Sequence, residues 1–382
     1  MNETIEYLKL PLILDFGTSE IKIGFSGDNP QIIKNWFGHP KFNKIVRTFN
    51  FQGEPNELII GDDCEKFLGL MKLRRPIKNG IFKNEKEMQI IFNHIFSKLG
   101  INSQNTKEHP IVITEPLLNP RENRQLIAEY LFNNLGVPAL IFLSQPFMSL
   151  LYTSNISGTI LESGEGISQS LTSYEGYPIE CTYERYNYGG ENVTEYLKEL
   201  LKIKGYHYYN SSDLMIFNEI KEKHCFCVED MDYKDLINMK EGESLKYNLP
   251  DGKFIEIGNE RFLAPEYLFS QNIKGKIGLG LDEMIINSID KVDEQIKSKI
   301  TQNIFLSGGN TLLKGLKEKL ANKIKEKLGK NYKVVIKNID NPRHSSWFGA
   351  NILSTLDIFK KKWLTKKQYA EIGEKILYEK TF

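Results

Sequence analysis

The sequence predicts an α/β protein built from two related lobes, and three observations support that prediction. Two short segments, 12–19 and 158–166, each consist of an apolar run, an acidic residue and a turn rich in Gly, Ser and Thr. Stretches with strand-like composition alternate with amphipathic helices, as in α/β folds. A chain of 382 residues is long enough to form two cores. We therefore expect two half-molecules, each opened by one of these hairpins.

The first hairpin has the composition of a phosphate-binding turn. Asp15 ends the apolar run, and Gly17 and Thr18 follow it. Backbone N–H groups in such a turn face an anion. A carboxylate at the strand tip is placed to hold the waters that Mg²⁺ usually keeps. The hairpin thus predicts a site for a phosphate and its metal.

The second hairpin repeats this pattern with Glu162, Gly164, Glu165 and Gly166. One such hairpin is weak evidence, because β-turns of this composition are common. Two in one chain indicate two halves that close on a single nucleotide phosphate tail.

The elements between and after the hairpins follow from periodicity. Alternation predicts strands at 21–25 and 167–174. Apolar residues spaced three and four apart predict helices at 120–135, 193–204 and 313–328. The lysines and glutamates of the last segment are interpreted as a solvated face.

Composition argues against several kinds of partner. No apolar run reaches the ~20 residues of a membrane span. The first six residues contain two glutamates and no basic side chain, unlike the basic start of a signal peptide. A net charge of +1 gives no sign of a nucleic-acid or membrane surface. We expect neither nucleic acid nor membrane as a direct partner.

The four cysteines are Cys64, Cys181, Cys225 and Cys227, and they form no C-x-x-C motif. This favours reduced thiols in an intracellular compartment. His224 stands beside Cys225, but the group lacks the paired spacing of a structural zinc site. We expect Cys225 and Cys227 to be buried, apolar cysteines on a helix.

Longer stretches resemble the actin family over essentially the whole chain. The matching segments are 108–120 (EHPIVITEPLLNP), 174–177 (YEGY), 249–252 (LPDG), 257–262 (IGNERF), 306–309 (LSGG) and the ending 363–382. The resemblance implies a two-lobed actin/Hsp70/hexokinase-like ATPase fold, with four subdomains around a cleft that holds Mg²⁺ and ATP or ADP. Hsp70 chaperones and sugar kinases share that superfamily but not these segments.

The resemblance also implies subdomain boundaries. Subdomain 1 would comprise 1–36, 76–152 and 345–382, subdomain 2 would comprise 37–75, subdomain 3 would comprise 153–188 and 277–344, and subdomain 4 would comprise 189–276.

The site residues are carried over from the matching positions. Asp15 and Glu162 would bind the metal through water. Gln145 would position the attacking water, with Glu162 and Gln169 completing the catalytic set. The nucleotide would contact Gly17, Thr18, Ser19, Lys22, Gly164, Glu165, Gly166, Gly190, Lys221, Glu222, Gly308, Gly309, Leu313 and Arg343.

Three departures from the family affect hydrolysis. Actins carry aspartate at positions 162 and 165, and glutamate shifts the carboxylate by about 1.5 Å. A misplacement of ~1 Å costs ~10²-fold in rate. Gln169 replaces a histidine and cannot titrate near neutral pH. We expect ATP to bind and to be hydrolysed slowly or not at all, so that the chain is at most a weak ATPase.

Three further departures surround the nucleotide. Ser19 replaces a glycine, and we expect its Cβ to crowd the turn. Pro146 follows Gln145 and restricts the backbone there. Leu313 replaces a tyrosine beside the base, which predicts weaker binding.

The surfaces for subunit contact also differ. The loop 41–61, by which actin subunits grip one another, is longer here and contains Lys44, Arg47, Glu54, Pro55 and Glu57. Lys274 and Lys276 take the place of an apolar plug, and lysines are costly to bury against an apolar partner. Ordinary actin-like polymerisation is therefore disfavoured.

The leading interpretation is an actin-related protein or highly divergent actin, acting as an ATP-bound structural subunit of, or on, a larger assembly. Its partners would be actin-like subunits or a multiprotein complex of dynactin-like, axonemal or chromatin-remodelling type. Its location would be the cytoplasmic cytoskeleton, with nuclear and axonemal locations left open. The alternative is a filament-forming actin ATPase with a divergent site. A small-molecule kinase would need a catalytic aspartate and an acceptor pocket, and no such segment stands out.

Overall fold

Strands alternate with helices along the chain, which confirms the predicted α/β class. The computed structural model describes residues 9–41, 58–102, 104–206, 213–240, 242, 244–249, 252–356, 359 and 362–379. The strands are β1 (Leu12–Phe16), β2 (Glu20–Phe25), β3 (Gln31–Lys34), β4 (Phe37–Pro40), β5 (Ile59–Ile60), β6 (Met71–Arg74), β7 (Ile77–Lys78), β8 (Ile81–Phe82), β9 (Ile111–Glu115), β10 (Ala139–Ser144), β11 (Gly158–Ser163), β12 (Ser168–Tyr174), β13 (Tyr177–Pro178), β14 (Glu184–Tyr186), β15 (Leu245–Asn248), β16 (Phe254–Ile257), β17 (Ile304–Ser307), β18 (Ile336–Asn338) and β19 (Leu364–Thr365).

The α-helices are spread between these strands. They are α1 (Glu85–Lys98), α2 (Arg121–Glu129), α3 (Gln145–Tyr152), α4 (Gly190–Ile203), α5 (Asp213–His224), α6 (Tyr233–Leu236), α7 (Glu260–Leu263), α8 (Leu281–Asp290), α9 (Glu294–Thr301), α10 (Leu316–Leu328), α11 (Ser345–Ser354), α12 (Lys366–Ile372) and α13 (Ile376–Glu379).

Two sheets repeat one pairing pattern. The first has the order β19-β10-β9-β1-β2-β3 and the second β13-β12-β11-β17-β18, with β14 on β12. In each, the first hairpin strand pairs antiparallel with the second (β1 with β2, β11 with β12). It also pairs parallel with a later strand (β9 or β17). We call the first sheet, with the small sheet β5-β4-β6, the first lobe. The second sheet, with the helices α4 and α5 that share its apolar cluster, is the second lobe.

Three large apolar clusters form the cores of the lobes and the contact between them. One packs against each sheet, and the third lies between them. This shared cluster contains Ile13 and Val112 of the first sheet together with Ile160 and Phe305 of the second. Trp347 is buried among them and donates its indole N–H to the carbonyl of Ile13 at 3.2 Å. The hairpin tips therefore face each other above a packed base.

The predicted helices are present with adjusted ends. The segment 120–135 forms α2 and then a π-helical turn at Tyr130–Asn134. The segment 193–204 lies almost wholly in α4. The helix expected from residue 313 begins only at Leu316. Gly315 has a φ of +78°, and a Cβ there would lie 2.2 Å from the carbonyl oxygen of Cys227.

Cys225 and Cys227 are buried as expected, but the prediction that they lie on a helix was wrong. Helix α5 ends at His224, and the chain then runs beside Lys314, whose carbonyl accepts from the Cys227 N–H at 2.8 Å. Burial raises the pKa of the Cys225 thiol to about 12. Among the described residues, no three His, Cys, Asp or Glu side chains form a metal cluster.

Part of the predicted subunit-contact loop lies outside the described residues: 42–57, and with it Lys44, Arg47, Glu54, Pro55 and Glu57. Within the described part of the chain, no helix combines the length and the apolar character needed to span a membrane.

Candidate nucleotide-binding site

A cavity of about 520 Å³ lies where the two hairpin tips face each other, within the size range of small-molecule sites. The predicted site residues that line it are Asp15, Gly17, Thr18, Ser19, Lys22, Gln145, Glu162, Gly164, Glu165, Gly166, Gln169, Lys221, Glu222, Gly308, Gly309, Leu313 and Arg343. Gly190 lies just behind the wall, where a Cβ would be 2.5 Å from Glu165 Oε2. The fold thus brings together residues from both halves of the sequence.

The tips of the two hairpins touch. A Cβ on Gly166 would lie 2.5 Å from Thr18 Oγ1 and 2.8 Å from Asn79 Oδ1. Only glycine leaves room for the first hairpin at this point. The two turns consequently border one space, the arrangement expected of a phosphate site between them.

Asp15 is held ionised at the floor of the cavity. Its Oδ1 accepts from Thr114 Oγ1 at 2.5 Å and from Gln145 Nε2 at 2.9 Å. Its Oδ2 lies 3.1 Å from Lys22 Nζ. Burial alone would raise the pKa of Asp15, but the charge of Lys22 and these hydrogen bonds outweigh it and lower the pKa. A charged carboxylate of this kind suits the water shell of a hard divalent cation.

Two of the substitutions around Asp15 fit their backbone. Ser19 is not among the described non-glycine residues with positive φ. The turn therefore carries its Cβ without the strain of a left-handed conformation. Pro146 lies in the first turn of α3, where its missing N–H has no helical partner to lose. No cis peptide bond occurs in the described chain.

Glu162 faces the cavity from the tip of β11. Its carboxylate accepts from Ser149 Oγ at 3.1 Å and from Gln169 Nε2 at 3.2 Å. Ser149 is buried and contacts the hydroxyl of Ser307 at 3.2 Å. Burial, together with the nearby charge of Asp15, raises the pKa of Glu162 to about 7. Glu162 therefore gains a proton at a higher pH than Asp15 does.

Gln169 is fixed at both ends of its amide. Its Nε2 donates to Glu162, and its Oε1 accepts from the Leu117 N–H at 2.8 Å. The residue is 1% exposed. A side chain held in this way neither titrates near neutral pH nor turns to follow a moving proton.

Glu165 is engaged by two cations. Arg75 Nη2 lies 2.7 Å from one of its oxygens and Lys221 Nζ lies 3.1 Å from the other. Lys221 also donates to the Gly190 carbonyl at 2.9 Å. Burial raises the pKa of Glu165, yet the charges of Lys221 and Arg75 outweigh it and lower the pKa to about 2. The carboxylate is a charged anchor for these side chains.

Sequence reasoning did not find Arg75. It lies 90 positions from Glu165 and has no motif of its own, so only the fold reveals the pair. Asn310 was also missed, although it follows the predicted Gly308 and Gly309. Its amide donates to the Gly164 carbonyl at 2.7 Å and so supports the second hairpin.

A second ion pair in the cavity lining, between Arg343 and Glu222, is more exposed. Arg343 Nη2 lies 3.0 Å from Glu222 Oε2, and both side chains are about two-fifths exposed (39% and 42%). Leu313 also lines the cavity. Gly308, with a φ of +88°, would bring a Cβ within 2.3 Å of the Ser163 carbonyl oxygen. The backbone must therefore be bare at this turn.

The comparison with protein families decides which family this geometry represents. The family model described as Actin matches residues 9–382. The chain belongs to the actin family. A similar relative is the centractin of Schizosaccharomyces pombe, which is 32% identical over 382 residues that cover 97% of each chain. Together, the family match and this similarity support the interpretation of the chain as an actin-related protein.

Actin-family proteins generally bind a nucleotide together with a divalent cation. The residues present fit that pair. Asp15 supplies a buried, charged carboxylate, Lys22 a cation beside it, and the hairpins two facing turns. Glu165 is less available to a metal or nucleotide than its position in the turn suggests, because its two oxygens already contact Arg75 and Lys221.

Proposed function

We propose that this actin-family chain binds Mg-ATP between its lobes, hydrolyses it slowly or not at all, and serves as a structural subunit of a larger cytoskeletal assembly. The facing hairpins, the ionised Asp15 and the cation of Lys22 support nucleotide binding. The family membership supports the four subdomains with the boundaries expected from the sequence.

Each side chain would then have a definite task. Asp15, and at its side Glu162, would orient the waters of Mg²⁺. Lys22 would neutralise phosphate charge, which a lysine does as a point cation. Glu222 and Arg343 would border the nucleoside, with Leu313 packing against the base. When bound, the metal would polarise the terminal phosphate and stabilise the charge on its oxygens.

The observation that supports slow hydrolysis is the fixed amide of Gln169. Its oxygen accepts from the Leu117 N–H and its nitrogen donates to Glu162, which holds the side chain in place. A neutral amide also does not take a proton from water near neutral pH. Proton transfer by a positioned base contributes about 10²–10⁴-fold to rate. A chain without a titratable base at position 169 should still bind ATP but should hydrolyse it slowly.

The test is to load purified protein with radiolabelled ATP, isolate it by gel filtration and follow conversion to ADP over hours. We expect retained ATP with little conversion. The double variant Glu162→Asp/Gln169→His should convert faster, while Gln169→Asn, which supplies no titratable group, should not. Rapid conversion by the wild type would overturn slow hydrolysis, and the absence of bound nucleotide would overturn the proposal as a whole.

A second candidate, a filament-forming ATPase, is favoured by one observation. Ile277 is 99% exposed, in the segment where sequence reasoning expected lysines to prevent an apolar contact. Lys274 is turned back onto the protein, with its Nζ 2.5 Å from Glu199 and its side chain 23% exposed. An exposed isoleucine beside a neutralised lysine is compatible with burial against another subunit.

Sedimentation after addition of Mg²⁺ and salt distinguishes the two candidates. If the chain polymerises through this segment, the wild type should pellet and Ile277→Lys should stay in solution. Ile203→Lys provides a matched control, because Ile203 is also highly exposed (84%) but lies on α4. A wild type that remains in the supernatant at all concentrations would eliminate the filament.

A further inference from the structure

Arg75 forms a contact that crosses the cleft. It directly follows β6, a strand of the first lobe, whereas Glu165 lies in the hairpin turn of the second lobe. The Arg75 Nη2 to Glu165 Oε1 distance is 2.7 Å, and the side chains are only 13% and 11% exposed. A buried charged pair of this kind is a strong and directional contact between two separately built bodies.

Each partner is fixed within its own lobe. The guanidinium of Arg75 lies over the ring of Trp36, 4.8 Å from its centroid, on the first lobe. The other oxygen of Glu165 lies 3.1 Å from Lys221 Nζ on α5 of the second lobe. The Arg75–Glu165 bond is thus the part of this cluster that breaks when the lobes separate.

The charges favour reversible opening. Glu165 retains Lys221 when Arg75 leaves, so no uncompensated carboxylate remains buried. Arg75 Nη1 is buried and has no hydrogen-bond partner among the described residues. This donor gains water when the cleft opens, which offsets part of the lost bond. The Arg75–Glu165 pair therefore stabilises the closed form, but breaking it costs little enough for the cleft to open.

We propose that Arg75 is a latch between the lobes: by holding Glu165, it keeps the second hairpin closed on the cavity and limits the rate at which a bound nucleotide leaves. Arg75 is a positioning residue, since it acts through Glu165. The release rate rests on the proposed function, whereas the closure of the lobes does not.

The latch also gives a reason for glutamate at position 165, which sequence reasoning treats as a catalytic defect. The extra methylene carries the carboxylate to both Arg75 and Lys221. An aspartate carboxylate would lie about 1.5 Å farther back and could not contact both cations where they now lie. We expect it to stay with Lys221, which belongs to the same lobe, and to lose Arg75. The two substitutions Arg75→Gln and Glu165→Asp should therefore break the same bond.

Two measurements on the full-length chain test the latch. For the first, spin labels are placed at Lys72→Cys on β6 and Lys202→Cys on α4, both exposed, in a Cys181→Ser background. Electron–electron double resonance then gives the distance between the lobes without nucleotide. For the second, release of a fluorescent ATP analogue is followed by stopped flow. The variants are Arg75→Gln, Glu165→Asp and their combination.

We expect Arg75→Gln to broaden the distance distribution toward longer values and to speed release about 10- to 100-fold, less than the loss of an isolated buried charge because Lys221 still compensates Glu165. Glu165→Asp should do the same, and the combination should add nothing further. The control Lys78→Ala removes a cation from the exposed Lys78–Glu191 pair, 3.1 Å apart, and should change release less than about threefold.

Arg75→Lys keeps the charge and serves if Arg75→Gln fails to fold; it should open the lobes by an intermediate amount. Unchanged distances in Arg75→Gln, or fully additive effects of the two substitutions on distance and release, would overturn the latch. If the wild type binds no nucleotide, the distance measurement still decides the matter, so failure of the proposed function and failure of the latch remain distinguishable.

Discussion

Adding one methyl group to Gly166 should separate the two hairpins. Its Cβ would lie 2.5 Å from Thr18 Oγ1 and 3.0 Å from Thr18 Cγ2. Both branches of the threonine are therefore in the way, and every staggered χ1 rotamer leaves at least one of them there. Asn79 Oδ1, at 2.8 Å, blocks the other direction. One hairpin must move for the methyl group of the Gly166→Ala variant to fit.

The magnitude follows from overpacking. Inserting a methyl group into a filled contact costs about 1–3 kcal/mol. Because the strain arises where the two turns meet around the phosphates, we expect it to oppose the bound, closed form. The affinity for Mg-ATP should then fall by roughly 5- to 150-fold, at about 1.4 kcal/mol per tenfold.

The second hairpin offers a matched control. Gly164 has no atom closer than 3.7 Å to its would-be Cβ, the nearest being the Ile167 carbonyl oxygen. Gly164→Ala should therefore bind a fluorescent ATP analogue within about threefold of the wild type. Equal affinities for Gly166→Ala and the wild type would refute the steric argument, as would an equal loss in both variants.

Two further predictions concern buried charges. Lys319 Nζ lies 2.6 Å from Glu266 Oε1, with side chains 0% and 2% exposed. Lys319→Met leaves the carboxylate buried without its cation and should lower the free energy of urea unfolding by about 3–5 kcal/mol. The double variant Lys319→Met/Glu266→Gln should recover much of that stability, and a double variant as unstable as the single one would contradict the prediction. Because the pKa of Glu162 is raised to about 7 in the fold, the folded protein retains a proton that the unfolded chain releases above its ordinary carboxyl pKa. In EDTA, wild-type unfolding free energy should therefore fall relative to Glu162→Gln as pH rises from about 4.5 through about 7; a difference that stays constant with pH would contradict it.

Local sequence was sufficient for the hairpins. An apolar run, a carboxylate and a small-residue turn predict a strand ending in a tight turn, and β1 and β11 each end one residue after the carboxylate. The helices within 120–135 and 193–204 also followed from spacing. The start of α10 did not, because Gly315 adopts positive φ and lies against Cys227, a tertiary contact that periodicity does not contain.

The candidate site divides in the same way. Resemblance placed Asp15 and Lys22 in the cavity because their motif is contiguous. It did not indicate that Glu165 is shared between Arg75 and Lys221, since that depends on side chains brought together from distant segments. It also gave no reason why Gly166 has less room than Gly164, because the crowding comes from the opposite hairpin.

The pairing of β19 with β10 has a consequence for synthesis of the chain. Strand β10 ends at Ser144, but its outer edge pairs at Ala139 and Leu140 with β19, which begins at Leu364. At about 5–20 residues per second, a ribosome needs roughly 10–40 s to add the intervening segment. During that interval the nascent first sheet displays an unpaired apolar strand, the kind of edge that recruits other chains. Strand β19 therefore completes the first sheet only after most of the chain has been synthesised.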